Sequence, residues 1–194
     1  NPIGYNRVYV HLDGKFSETA WWDGLAKGNC FVTNGPLLRV RANDRLPGDV
    51  FTADGGEPLA LKLDVQLTTL DRLRKLEVIQ NGKVMQTILF NGDRNQAHSL
   101  TLTVNKSGWF LIRGIAENPK TFRFASTAPF YTELGQEKRR ISKSSSRFFL
   151  DWVNERIERV KANITDKSQQ AEVLRSHESA RKFWQERVRQ SNAD

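Results

Sequence analysis

Thiols and imidazoles, the side chains that most often build covalent or metal sites, are scarce in this sequence. There is one cysteine, Cys30, so no internal disulfide can brace the fold and a disulfide-stapled scaffold is excluded. Its neighbours Asn29 and Phe31 supply no base to activate it, and it reads as a small buried hydrophobe rather than a nucleophile. The three histidines, His11, His98 and His177, are far apart, and no pair has the H-x-H or H-x-x-x-H spacing of a local metal site. No G-x-S-x-G nucleophile elbow and no glycine-rich phosphate loop occurs. No run approaches the ~18 consecutive apolar residues of a membrane span, so no membrane partner is expected. No leader-like segment is read at the start either; the chain opens at Asn1 rather than Met and is expected to be a piece of a longer protein.

Charge of one sign is also not concentrated anywhere. The net charge is +8, a value that draws attention to nucleic acid and anionic surfaces. Yet residues 1–133 hold 16 basic and 13 acidic side chains, and residues 134–194 hold 14 and 9, interleaved along the tail. This pattern fits a solvated helical face, and nucleic acid is not expected as a partner. Lys138, Arg139 and Arg140 read as part of a flexible linker.

Local pattern divides the chain in three. Arg7–His11 reads as a strand, and Ser17 to Gly28 as a short helix. Ser17 is its expected N-cap, Glu18 and Lys27 match the dipole ends, and Gly28 is a left-handed C-cap. Cys30–Thr33 returns as a strand, ended by Asn34-Gly35-Pro36. Between Leu37 and Phe130 the period is two: Leu38, Val40 and Ala42; Leu59 to Leu67 at alternate positions; Leu100, Leu102 and Val104. Asn81-Gly82 between two β-rich runs predicts a tight hairpin. Gly108–Ala116 is apolar almost throughout and reads as a central strand, and Phe122, Phe124 and Phe130 close the series. About seven short strands punctuated by Gly, Asn and Pro predict an antiparallel immunoglobulin-like β-sandwich. Gln136–Ser146 is polar and basic and reads as a linker. Phe149, Leu150, Val153, Ile157, Val160 and Ile164 then form one helical stripe, and Val173, Leu174, His177, Ala180, Trp184 and Val188 a second, which predicts a C-terminal helical hairpin. Of the five tryptophans, Trp109 and Trp184 fall on apolar stripes and read as core; adjacent Trp21 and Trp22 cannot both face one way on a helix, which leaves them as candidate ligand-contact aromatics.

One set of motifs is more specific. Gly4-Tyr5-Asn6-Arg7-Val8-Tyr9-Val10, then Trp22-Asp-Gly-Leu-Ala-Lys-Gly28, then Phe31-Val-Thr-Asn-Gly-Pro-Leu-Leu38, resembles the end of the catalytic domain in metal-dependent hydrolases of the PHP superfamily, in particular the CehA/McbA-like branch. Gly82, Ser107-Gly108-Trp109 with Arg113, and Ser126-Thr127-Ala128-Pro129-Phe130-Tyr131 resemble later segments of that family in the same order. The resemblance implies that the metals are held by His, Asp and Glu motifs upstream, the last an Asp-x-His shortly before the Gly-Tyr-Asn-Arg stretch. None of these motifs is in this chain. Family members often place a His just before the position of Ser126, where this chain has Phe124-Ala125.

Residues 1–36 are expected to be the last elements of a catalytic-type domain, 37–134 a β-sandwich domain, and 135–194 a linker and helical hairpin. The chain is expected to be a non-catalytic C-terminal accessory module of a metal-dependent hydrolase, structural or substrate-orienting, with no cofactor of its own. Its expected partners are the upstream catalytic domain of the same protein and a second copy. The alternative is a free-standing carbohydrate- or ligand-binding β-sandwich. The turn Thr33, Asn34, Gly35 is the candidate substrate-facing element, and Trp21 and Trp22 the candidate ligand contacts. The resemblance favours a bacterial, periplasmic or secreted setting.

Overall fold

Alternating burial builds the larger part of the chain. A computed structural model describes residues 3–54, 57–135 and 140–193, and divides into two compact units, Asn1–Arg139 and Arg140–Asp194. The first unit runs β1 (Arg7–Val10), α1 (Glu18–Lys27), β2 (Cys30–Thr33), β3 (Leu37–Ala42), β4 (Val50–Ala53), β5 (Leu59–Thr68), β6 (Arg72–Gln80), β7 (Lys83–Leu89), β8 (Asn95–Val104), β9 (Gly108–Glu117), β10 (Arg123–Thr127) and β11 (Phe130–Leu134).

These strands form two sheets. In the smaller, β5 lies between β3 and β8, antiparallel to both. In the larger, β9 is central. Along one edge it pairs with β10 and β11; along the other with β6, which carries β7. β10 leads on through β2 to β1 at the sheet edge, and β11 carries β4 in parallel. The facing stripes share one core. Leu38, Val40, Leu61, Leu63, Val65 and Leu67 of the small sheet meet Leu73, Leu76, Val78, Phe110, Ile112 and Phe130 of the large one. Each stripe is apolar because successive side chains on a strand point to opposite faces, and only one face is dry. Gly114 on β9 leaves room for Leu67, whose methyl tips stand 2.8 Å from where a Cβ would lie. The result is a β-sandwich, with the strand–helix–strand β1–α1–β2 attached through the β2–β10 ladder.

Among the described residues, nine strands, rather than about seven, follow residue 36. β4 is the addition no pattern announced: it is four residues long and is recruited by the β11 ladder, Tyr131 opposite Val50 through Leu134 opposite Ala53. β8 begins at Asn95, well before its apolar stripe, because the ladder with β5 continues through polar Asn95–Ser99. The hairpin at Asn81-Gly82 has positive φ at both residues, 49° and 82°, as the mirror-image turn of a two-residue loop requires.

α1 is capped as its sequence implies. Ser17 Oγ accepts from the Ala20 N–H at 3.1 Å, and Gly28 is left-handed at φ 82°. Its C-terminal end is held by a glycine crossing: a Cβ on Gly48, itself at φ 98°, would stand 1.9 Å from the Lys27 carbonyl oxygen.

The second unit is a helical hairpin of α2 (Lys143–Asn163) and α3 (Lys167–Arg189). The linker expected over Gln136–Ser146 runs too far into the helix, because Ser142 caps α2 by accepting from the Ser145 N–H at 3.1 Å; residues 136–139 of it lie outside the described residues. Asp166 caps α3 through the Gln169 N–H at 2.8 Å. The two chain ends of the hairpin are tied together by Lys143 N–H donating to Ala193 O at 2.7 Å and Asn192 N–H to Ile141 O at 3.1 Å. No helix among the described residues is long and apolar enough to cross a membrane.

Candidate functional site

The Thr33–Gly35 turn joins the large sheet to the small one, and its polar atoms are engaged inward. Thr33 and Asn34 are 2% and 5% exposed. The Asn34 side chain continues the β2–β10 ladder where the backbone leaves it: Nδ2 donates to Phe122 O at 2.7 Å and Oδ1 accepts from the Phe124 N–H at 2.9 Å. Thr33 Oγ1 donates to Pro36 O at 2.5 Å and accepts from the Gly35 N–H at 2.9 Å. Arg123 clamps the turn from outside through the Asn34 carbonyl. A buried amide with two satisfied backbone partners acts as a rigid positioning element.

Beside this turn lies a cleft of about 590 Å³ between the β1–β2 ribbon and strand β3. It exists because the large sheet extends two strands further than the small one, whose edge is β3. Tyr9, Phe31 and Thr127 sit opposite one another across β1, β2 and β10 and therefore share a face. Tyr9 and Phe31 stack as an apolar wall, ring centroids 5.1 Å apart and planes within 6°. Arg39, Arg41, His11 and Cys30 add polar groups to the lining. Burial pushes the Cys30 thiol up from its ordinary pKa, which keeps it protonated and poorly nucleophilic at neutral pH. Among the described residues, no strand pairs with the outer side of edge strand β3, which faces this space.

The candidate aromatics stand elsewhere. Trp21 and Trp22 meet edge to face on α1, centroids 4.8 Å apart, and do not line the cleft. Trp21 is half-buried, whereas Trp22 is 56% exposed. The histidines are not brought together: His11 Nε2 is 3.1 Å from Asp13 Oδ1, His98 packs on Phe90, and His177 Nδ1 is 2.9 Å from the Val173 carbonyl oxygen. Among the described residues, no three His, Cys, Asp or Glu side chains converge as a metal-binding group would.

One charged cluster escaped the sequence reading. Glu77 on β6 is 3% exposed and receives Lys75 Nζ at 2.5 Å and a two-pronged approach from Arg113, Nε at 2.8 Å and Nη2 at 2.6 Å. Burial pushes its carboxyl up, but the hydrogen bonds and attraction of the two cations outweigh that and hold it below the usual range. Part of the signal was present: Arg113 is the lone charge inside the apolar run Gly108–Ala116, and such charges are buried only when paired. On the small sheet Asp64 is held down by hydrogen bonds from Ser99 at 2.5 Å and Lys62 at 2.9 Å.

No family model and no curated protein matches this chain. Among solved structures, a lytic polysaccharide monooxygenase from Jonesia denitrificans aligns over 45% of this chain and 59% of its own, at 19% identity and a TM-score of 0.30. This chain thus spans less than two thirds of that protein's length. The CARDB domain of a Pyrococcus furiosus protein, solved in complex with di-metal ions, aligns over 52% of this chain and 94% of its own, at 12% identity and a TM-score of 0.32. Likenesses at this level carry no argument about what the chain does.

Proposed function

We propose that this chain is a non-catalytic accessory module of a metal-dependent hydrolase of the PHP kind, docked to the catalytic domain through β1–α1–β2. The observation that carries the reading is the apolar surface of those elements. Val8, Val32, Trp22 and Phe16 are 42%, 41%, 56% and 74% exposed, and among the described residues β1 is an open sheet edge. An open, apolar edge is a liability on a free-standing domain, and natural sheets cover or charge such edges. An upstream domain that continued past β1 would cover it. The Thr33–Gly35 turn then acts as a rigid hinge point that orients the module, and the sandwich, taken as immunoglobulin-like, supports it from behind. Co-purification tests this: the upstream domain made as a separate polypeptide binds the chain, and Val8→Glu with Val32→Glu abolishes binding. Stoichiometric zinc, manganese or iron in the purified chain alone contradicts the reading.

The cleft favours a second reading, a ligand-binding module that works by itself. An aromatic wall beside arginines suits an oligosaccharide. Titration with a panel of polysaccharides, followed by tyrosine and tryptophan fluorescence, gives a saturable response that Tyr9→Ala removes. A flat response across the panel excludes it.

A further inference from the structure

The helical hairpin carries aromatic side chains that its own packing leaves half or more exposed. Phe149 stacks on Trp184 across the helices, centroids 4.7 Å apart, but Phe148, Trp152 and Phe183 are 63%, 54% and 50% exposed. Phe148 and Trp152 are one helical turn apart, and both lie about half a turn around α2 from the stripe Leu150–Val153–Ile157. The exposed rings rest against the rims of Phe149 and Trp184 and are not covered by them. All of these rings lie toward the end of the hairpin where Ile141–Lys143 meets Asn192 and Ala193.

The charges distinguish this end from the other. Residues 140–154 and 178–190 hold seven Lys and Arg against three Asp and Glu, whereas 155–177 hold five against four. Several helical cations are matched to a carboxylate one turn away: Arg159 to Glu155, Lys161 to Glu158, Arg181 to Glu178 and Arg189 to Glu186. Among the described residues, Lys143, Arg147, Lys182 and Arg187 at this end have no carboxylate partner, as Arg156, Lys167 and Arg175 have none at the other; the ends differ in net charge. Arg187 instead lies over the Phe183 ring at 5.0 Å. So unmatched cations surround protruding rings.

We propose that this end of the hairpin rests on an anionic phospholipid surface, with Phe148, Trp152 and Phe183 entering the headgroup region and the unmatched cations meeting lipid phosphates. A second copy is a poorer occupant, because a two-fold contact would set two excess-positive patches against each other. The rings protrude rather than line a pocket, so the accepting surface has to yield, as a bilayer interface does. Amphipathic Trp and cation-bearing stems are suited to that depth. No spanning segment is involved, and the inference is independent of the cleft and of the docking proposed for β1–α1–β2.

Co-sedimentation of the whole chain with vesicles tests it, using phosphatidylcholine with and without phosphatidylglycerol. Partition is expected only with phosphatidylglycerol and to weaken steeply as salt rises. Arg147→Gln and Lys182→Gln each lower it about fivefold, and Phe148→Ser with Trp152→Ser lowers it about tenfold or more. All four positions are exposed, and an unchanged helical circular-dichroism signal shows that the variants fold. Absence of partition at low salt overturns the proposal, as does partition that the ring substitutions leave unchanged. A concentration-dependent dimer that the ring variant dissolves, with no vesicle binding, also overturns it and assigns the rings to a second copy.

Discussion

The sandwich core and the β1–α1–β2 attachment are built from equally regular elements, yet they are stabilised differently. In the core, apolar side chains meet face to face; Phe110 and Phe130 stack with centroids 4.9 Å apart and are both 0% exposed. In the attachment, β1 has no buried residue, and the only one in α1 is Gly24. Ladders, caps and the Gly28–Gly48 crossing hold it instead. Regular secondary structure therefore does not mark where the folding free energy lies. The attachment is regular in backbone but sparsely packed.

Substitutions should separate the two regions. Phe110→Ala removes a ring from the closed core and is expected to lower stability by about 3–5 kcal/mol, read by urea denaturation. Gly48→Ala forces a methyl into the Lys27 carbonyl at a left-handed backbone position; about 3 kcal/mol is expected. In contrast to the core substitution, that loss should appear in hydrogen exchange as faster opening of α1. Asn34→Ala leaves the Phe122 carbonyl and Phe124 N–H unpaired and costs about 2 kcal/mol, which places the turn between the two regimes. At the other extreme, Val8→Ser and Val32→Ser fall within about 0.5 kcal/mol of the unmodified chain, while still weakening attachment to an upstream domain. A large loss from Val8→Ser would mean that the Val8 side chain packs against this chain after all.

Glu77 offers a comparison by pH. Its carboxyl is held below the ordinary range in the folded state, so ionisation favours the fold. The contribution is complete above the unfolded carboxyl pKa, about 4.3, and is lost as pH falls through the lower folded value. Glu77→Gln should therefore flatten the acid limb of the stability curve. An unchanged acid limb would show that Lys75 and Arg113 do not hold the charge.

Much of the architecture was legible because period and punctuation act locally. Ser17, Gly28 and Asn81-Gly82 set the ends of their elements through their own backbone preferences. β4 was not legible, since four residues of mixed polarity become a strand only when β11 lies alongside. Nor was the first half of β8, whose polar residues are held by the ladder to β5. At the candidate site, Thr33 and Asn34 stood out as a turn, but the inward aim of the Asn34 amide depends on β10, about 90 residues further along the chain and 2.9 Å away at Phe124 N.

By itself, the sequence determined the helices and most of the strands, β4 and the start of β8 excepted, where most of these elements end, and that two apolar faces must meet. These are properties of backbone preference and of side-chain alternation within a few residues. Tertiary structure decided which charges pair, which aromatics stay outside, and where a cleft opens, because each of those depends on how many strands each sheet contains and on side chains brought close from distant parts of the chain.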